Sequence, residues 1–226
     1  MIFYSVHFNR PDFIEIQKKC VDKIGGTLVV IKNSNDLGID EECKKAGILC
    51  YTSSSALESF NPPSVSHGKA LNFLSGIIDY SQDWCILDHD FFPLKKIKFG
   101  DFEILGLIHG DHNVGKYLWP GFMAGKKEIK LDGINFLPSP GRDTGSGTSE
   151  LLNRGYRIKE VPEEYLGFDS EKGYIQTQPS IVKFGDFGIH YLNGSEWMGV
   201  REDVRIVKKK ILLETIENFK NITFNE

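Results

Sequence analysis

Two aspartates one residue apart close an apolar run, Trp84-Cys85-Ile86-Leu87-Asp88-His89-Asp90. Such a run cannot take two carboxylates into a strand without partners, because an uncompensated buried charge is costly. At the carboxyl end of a parallel strand, where α/β sheets bind ligands, the same pair can face a divalent cation. Carboxylate oxygens are hard ligands that suit Mg²⁺ or Mn²⁺, with diphosphate oxygens completing the shell. Standing alone, Asp-x-Asp is equally a solvated strand end, so its surroundings decide.

The elements that must carry this pair follow from the patterning. Residues 2–8 form a short apolar run that fits a buried strand. Asn9-Arg10-Pro11-Asp12 then opens a helix to about residue 23, with Pro11 near the start where its missing N–H costs little. Gly25-Gly26 ends that helix, and the β-branched run 27–31 is a second strand. A polar loop, a short helix at about 40–46 and a strand at 48–51 follow. This alternation predicts an α/β fold, a mostly parallel central sheet flanked by helices. Residues 53–65, rich in Ser and Pro, read as an irregular loop. Ser66 reads as the N-cap of a helix with Ala70, Leu71, Leu74, Ile77 and Ile78 on one face. Lys69 and Asn72 lie together off the centre of that face.

Beyond residue 100 the texture changes. Strands are expected at 104–109, 117–124 and 134–137, a short helix at 149–153, and further strands at 156–161 and 181–183. A final amphipathic helix at about 201–219 should turn Val204, Val207, Ile211, Leu212, Ile216 and Phe219 inward. Lys208-Lys209-Lys210 would be its solvated face. With no internal repeat, residues 1–226 read as one domain, a nucleotide-binding half over about 1–100 and an acceptor half over about 101–226.

Composition removes several classes. Lys and Arg number 27 against 31 Asp and Glu, net −4, without the basic surplus of a nucleic-acid binder. No run of about 18 apolar residues is present to span a membrane. Cys20, Cys43, Cys50 and Cys85 have no Cys-x-x-Cys spacing and fit buried free thiols. The start, Met1-Ile2-Phe3-Tyr4-Ser5-Val6, reads as a strand rather than a signal peptide, so a cytoplasmic setting is the expectation.

The order of motifs adds a resemblance. Ser66-His67-Gly68-Lys69-Ala70-Leu71-Asn72 precedes the Asp88-His89-Asp90 strand, with Asn9-Arg10-Pro11 after the first strand. Trp119-Pro120-Gly121-Phe122-Met123-Ala124 follows, then Asp143-Thr144-Gly145 with Leu151-Leu152 and Gly155-Tyr156-Arg157-Ile158 behind it. This series resembles the family-2-like glycosyltransferases of the GT-A fold, order-preserved over roughly residues 2–160.

The resemblance implies a metal-dependent transfer of sugar from a UDP- or GDP-sugar to a hydroxyl of a glycan or other acceptor, with inversion. It implies that the end of the first strand (His7, Asn9, Arg10) lines the nucleotide and that Lys69 approaches base or diphosphate. Asp88 and Asp90 would hold ribose and metal, His190 is a candidate third metal ligand, and Trp119 and Gly121 belong to the acceptor side. Asp143, which opens the Gly-rich stretch 141–147, would be the general base, with Asp111, Asp132 and Glu150 as competitors. Family members usually carry an acid after the second strand to read the base. Lys32-Asn33 stands there in this chain, with Asp36 as a substitute in the loop. His67, His109 and His112 have weaker claims; Trp119 and Trp197 could stack on sugar rings or be packed, with packing the better reading for Trp119. The rival readings are a haloacid-dehalogenase-like phosphatase, a nucleotidyltransferase and a non-catalytic sugar-nucleotide or glycan-binding domain.

Overall fold

Strands that are apolar on both sides of the pleat account for the central sheet. In the computed structural model β1 (Ile2–His7) lies between β2 (Thr27–Lys32) and β4 (Trp84–Asp88), parallel to both, and β3 (Leu49–Thr52) extends the edge beyond β2. On the other side β7 (Tyr117–Gly125) runs antiparallel to β4, followed by β6 (Ile104–His109) and β8 (Ile158–Glu160). The order β3-β2-β1-β4-β7-β6-β8 contains one strand, β7, against the direction of the rest. This is the mostly parallel, helix-flanked α/β sheet that the sequence leads one to expect. The described residues are 1–57, 62–110, 115–140, 143–166, 181–192 and 201–222, with side chains of the last segment to 218.

Phe3, Leu28, Val30, Cys85 and Leu87 point to one face and pack with Ile14 and Val21 of α1 (Asp12–Lys23) and Ile39 of α2 (Leu37–Ala46). Their neighbours in sequence, Tyr4, Val29, Ile31, Trp84 and Ile86, point to the other and pack with Ala70, Leu71 and Leu74 of α3 (Pro63–Ser75). Burial on both faces is why these strands read as continuous apolar runs. A second, antiparallel sheet has the order β5-β11-β10-β9, formed by β5 (Phe91–Pro93), β9 (Glu163–Leu166), β10 (Ile181–Phe184) and β11 (Gly188–His190). Phe92, Ile181 and Ile189 from this sheet, with Tyr191 directly after β11, meet Phe13 of α1 and Leu212 and Ile216 of α5 (Glu202–Ile222). The short helix α4 is Ser149–Asn153.

Several local expectations are corrected. Ser66 is not an N-cap: α3 starts three residues earlier, at Pro63, and the Ser66 hydroxyl donates instead to Asn33 Oδ1 at 3.3 Å. Residues 134–137 form no strand. Their backbone is tied to α3, where Asn72 Oδ1 accepts from Phe136 N–H at 2.8 Å. Gly68, one turn before Asn72, permits this approach, because a Cβ there would meet Phe136 O at 2.7 Å. Helix α2 begins earlier than the pattern suggests because Asp36 caps it, accepting from Gly38 N–H at 2.8 Å. On α5 the buried stripe is Val204, Lys208, Leu212 and Ile216, while Val207 is 48% exposed. Lys208 reaches the core because its ammonium donates to Leu192 O and stands 3.8 Å from the Tyr191 ring centroid. The strands β5, β9 and β11, three or four residues each, fall below the length that periodicity can reveal.

Cys20, Cys43 and Cys85 are buried, Cys50 is half-buried, and all four are free thiols. Among the described residues no helix is long and apolar enough to cross a membrane. His112, Trp197, Asp111 and the side chain of Phe219 lie outside the described residues.

Candidate functional site

The Asp88-His89-Asp90 turn is held from behind. Gln17 of α1, itself fully buried, donates from Nε2 to Asp88 O at 3.1 Å and to Phe91 O at 2.7 Å, spanning the turn. Its Oε1 is 3.0 Å from His7 Nε2. Burial, with His89 nearby, pushes the His7 pKa down to about 3, so His7 is neutral and gives its Nε2–H to Gln17. His7 is thus a buried bracket under the turn and does not line the cavity. Replacing Gln17 by Leu removes three hydrogen bonds and orphans two carbonyls. At roughly 1 kcal/mol each, that should lower the melting temperature by about 5–10 °C in a chain of this size. Melting curves of wild type and Gln17→Leu check it, and an unchanged midpoint would show that the bracket is dispensable.

A histidine one hundred residues later reaches the same turn through strand pairing. β5 begins directly after Asp90 and pairs with β11, in the register His190↔Phe91. Tyr191 N–H donates to Asp90 O at 2.8 Å, and His190 Nε2 lies 3.2 Å from Asp90 Oδ1. From α3, His67 Nε2 stands 2.9 Å from Asp88 Oδ1. The approach is ionic and out of hydrogen-bonding direction, so that buried oxygen has no hydrogen-bond partner. Burial disfavours a charge on His67, but Asp88, with Asp143 and Asp90 beyond it, outweighs this and raises its pKa. His89 is the opposite case: burial holds its pKa down, and its Nε2 has no hydrogen-bond partner.

β7 brings Trp119. The register Leu87↔Phe122 brings Gly121 level with Asp88 and carries Trp119 past the end of β4. A Cβ at Gly121 would lie 2.1 Å from the indole, so glycine makes room for the ring to fold across its own strand. Trp119 packs on His109, Phe184 and His190 with ring centroids 5.7, 5.6 and 4.9 Å apart, and its edge still lines the cavity.

Asp143 is held by its neighbours. Thr144 N–H donates to Asp143 Oδ1 at 2.7 Å, and Thr144 Oγ1 donates to Ser64 O in the first turn of α3 at 2.8 Å. Gly145, at φ 87°, turns the chain and donates its N–H to Phe136 O at 2.9 Å. Asp143 is no helix cap, since the positions before the next helical turns are Gly145 and Thr148.

Asp88, Asp90, Asp143, His190 and Trp119 line one cavity of about 550 Å³ at the carboxyl edge of β1, β2 and β4. The other candidates are placed elsewhere. Arg10 forks onto Asp12 at 2.8 and 2.9 Å and lies over Phe13, 3.6 Å from its centroid. Asn9 is exposed at φ 51°, Asp36 caps α2, and Lys69 is not among the lining residues. Of the competitors for Asp143, neither Asp132 nor Glu150 lines the cavity. The cavity also recruits His67, His89, Asn33 and Ser66. The signal for His67 was its place in the Ser66–Asn72 motif, beside the more basic Lys69. Asn33 carried a signal too, as the non-acidic residue where an acid was expected.

The donor set suits a hard divalent cation that shares its shell with a ligand. Asp88 supplies a buried oxygen without a hydrogen bond, and Asp90 stands two residues on. Among the described residues no three of His, Cys, Asp or Glu converge as a ready ligand set. His190 stands against Asp90, and coordination positions beyond the carboxylates would go to water and ligand oxygens.

No family model matches the chain, and no curated protein does either. Solved structures similar to it include glucosyl-3-phosphoglycerate synthase from Mycobacterium tuberculosis. Its complex with Mn²⁺ and UDP-glucose aligns at 14% identity and TM-score 0.43, over 68% of this chain and 63% of that one. Its complex with Mn²⁺, UDP and phosphoglyceric acid aligns at 15% identity and TM-score 0.46, over 70% and 66%. This chain therefore spans just under two thirds of that protein's length. At such identities and TM-scores it is the residues of the site, and not these alignments, that bear on function.

Proposed function

We propose that this chain is a metal-dependent glycosyltransferase that moves a sugar from a nucleoside diphosphate donor, a UDP- or GDP-sugar, to a hydroxyl of a glycan or other acceptor. The observation that best supports the reading is the meeting of Asp88, Asp90 and Asp143 in one cavity at the carboxyl edge of parallel strands. Asp88 and Asp90 would hold Mn²⁺ or Mg²⁺ with the diphosphate. When bound, the ion supplies Lewis acidity that neutralises charge developing on the leaving group. Asp143, its Oδ1 fixed by Thr144 N–H, would take the acceptor proton on Oδ2. Trp119 would wall the acceptor side, and Gly121 gives it the room. One base with in-line attack implies inversion at the anomeric carbon.

A thermal-shift series with UDP, GDP, CDP and ADP, each with and without Mn²⁺, tests the reading. A ligand at about 100 times its Kd adds ~2.7 kcal/mol to stability, which for a chain of this size is about 5–10 °C. One nucleotide should give that shift only with Mn²⁺. No shift with any of them would sink the reading. A shift without turnover of the matching nucleotide sugar would leave a binding domain in place of an enzyme.

A further inference from the structure

At the outer edge of the large sheet, two of the four cysteines are brought together by strand register and a helix end. Cys50 of the edge strand β3 stands opposite Val30 of β2, so both side chains leave the sheet on the same face. That face is covered by α2. Cys43, one turn after Ile39, is buried there in the core that holds Val30, and Cys50 packs against the same core. The chain between them is a tight reversal: Gly47, at φ 64°, ends α2, and Ile48 N–H donates back to Cys43 O at 2.8 Å. The thiols meet, Cys43 S–H donating to Cys50 Sγ. Lys32, two residues on from Val30, points the same way and donates its ammonium to Asp40 of α2.

The two thiols are unequal. Cys43 is 1% exposed, whereas Cys50 is half-buried on a strand that has no outer neighbour among the described residues. The hydrogen bond from Cys43, with the Lys32 ammonium, holds the Cys50 thiol below its ordinary pKa, against burial and the Asp40 carboxylate. The same hydrogen bond, with burial, pushes the Cys43 thiol up. We propose that Cys43 and Cys50 form a redox modification site, which a peroxide oxidises to an intramolecular disulfide. The Cys50 thiolate attacks one oxygen of hydrogen peroxide and the O–O bond breaks, giving a Cys50 sulfenic acid and a hydroxide that takes up the thiol proton as water. Cys43 sulfur then attacks the Cys50 sulfur. The S–S bond forms, the S–O bond breaks, and the hydroxyl leaves with the Cys43 proton as a second water. Two electrons pass from the dithiol to the peroxide. The other cysteines do not substitute. Cys85 of β4 is three strands from β3. That is roughly 14 Å at the usual strand spacing, beyond the limit of about 7 Å between bridged Cα atoms. Cys20 lies in the separate core beneath α5. Neither Cys43 nor Cys50 lines the cavity, so this inference does not depend on the nucleotide reading.

Peptide mapping tests the proposal on the whole, folded chain. The reduced protein is treated with equimolar hydrogen peroxide, alkylated, and digested with trypsin without reduction. Cleavage after Lys44 and Lys45 separates the two cysteines, so a disulfide appears as two joined peptides, lighter by two hydrogens than their sum. Cys43 and Cys50 should lose alkylation together while Cys20 and Cys85 keep theirs, and dithiothreitol should restore both thiols. In Cys43→Ser, or Cys43→Ala if that variant does not fold, no thiol remains to resolve the sulfenic acid. A dimedone adduct at Cys50 should then accumulate about tenfold or more above wild type. Sulfinic acid at Cys50 with Cys43 still open to alkylation in wild type overturns the proposal. So does a Cys50 that peroxide oxidises no faster than Cys20 or Cys85, or a disulfide that forms only between chains.

Discussion

Asp90→Asn should abolish the Mn²⁺-dependent part of nucleotide binding while leaving the chain folded. Asp90 is 5% exposed, with Oδ1 3.2 Å from His190 Nε2, and its backbone oxygen is fixed by Tyr191 N–H. Asn keeps an oxygen for His190 and keeps the backbone bond, so packing loses little. What it loses is the anionic charge. A hard divalent cation held by two carboxylates depends on that charge, and an amide oxygen replaces it poorly. Even residues that only support metal ligands change affinity by 10–100-fold. Removing a ligand should therefore weaken nucleotide binding in Mn²⁺ by about a hundredfold, towards the value measured in chelator. Calorimetry in Mn²⁺ and in chelator reads this directly. Metal-enhanced binding that survives in Asp90→Asn would remove Asp90 from the metal site.

The legible part of the fold was the part governed by local pattern. β1, β2, β4, β6 and β7 announced themselves as apolar runs because both faces of the sheet are buried. The second sheet was hidden. β5 and β11 are three residues each, and their pairing closes a loop of nearly one hundred residues. Sequence could nominate His190 but could not show why it meets Asp90, since that follows from the register His190↔Phe91. The final helix shows the opposite failure. Its stripe was read by residue type, which favoured Val207. Geometry placed Lys208 inward, because Leu192 O and the Tyr191 ring offer its ammonium partners. At the site, Lys69 stands out by charge, whereas the α3 side chain that stands against Asp88 is His67. Which face of α3 meets Asp88 is set by how the helix docks on the sheet, which no local pattern shows.

Asp143→Asn should lower kcat by about a hundredfold or more, with donor binding preserved. The carboxylate lines the same cavity as Asp88 and Asp90 but comes from a separate segment, the turn after residue 142. Thr144 Oγ1 to Ser64 O and Gly145 N–H to Phe136 O hold that turn, Asn72 holds residue 136, and Thr148 Oγ1 ties the following turn to Leu118 O of β7. Asn at 143 can still accept from Thr144 N–H through its oxygen, so these bonds persist and the fold should be unchanged. Its amide nitrogen would then face the cavity in place of Oδ2, and an amide takes no proton. A residue that removes a proton in the transition state contributes roughly 10²–10⁴-fold. The loss should therefore appear in kcat and kcat/KM equally, with the donor's Kd within about twofold, the pattern of an interaction made only in the transition state. A structural turn aspartate would behave differently, because Asn serves in turns about as well as Asp. Turnover near wild type in Asp143→Asn would remove Asp143 as the base. A parallel loss of donor affinity would move it to the donor side of the cavity.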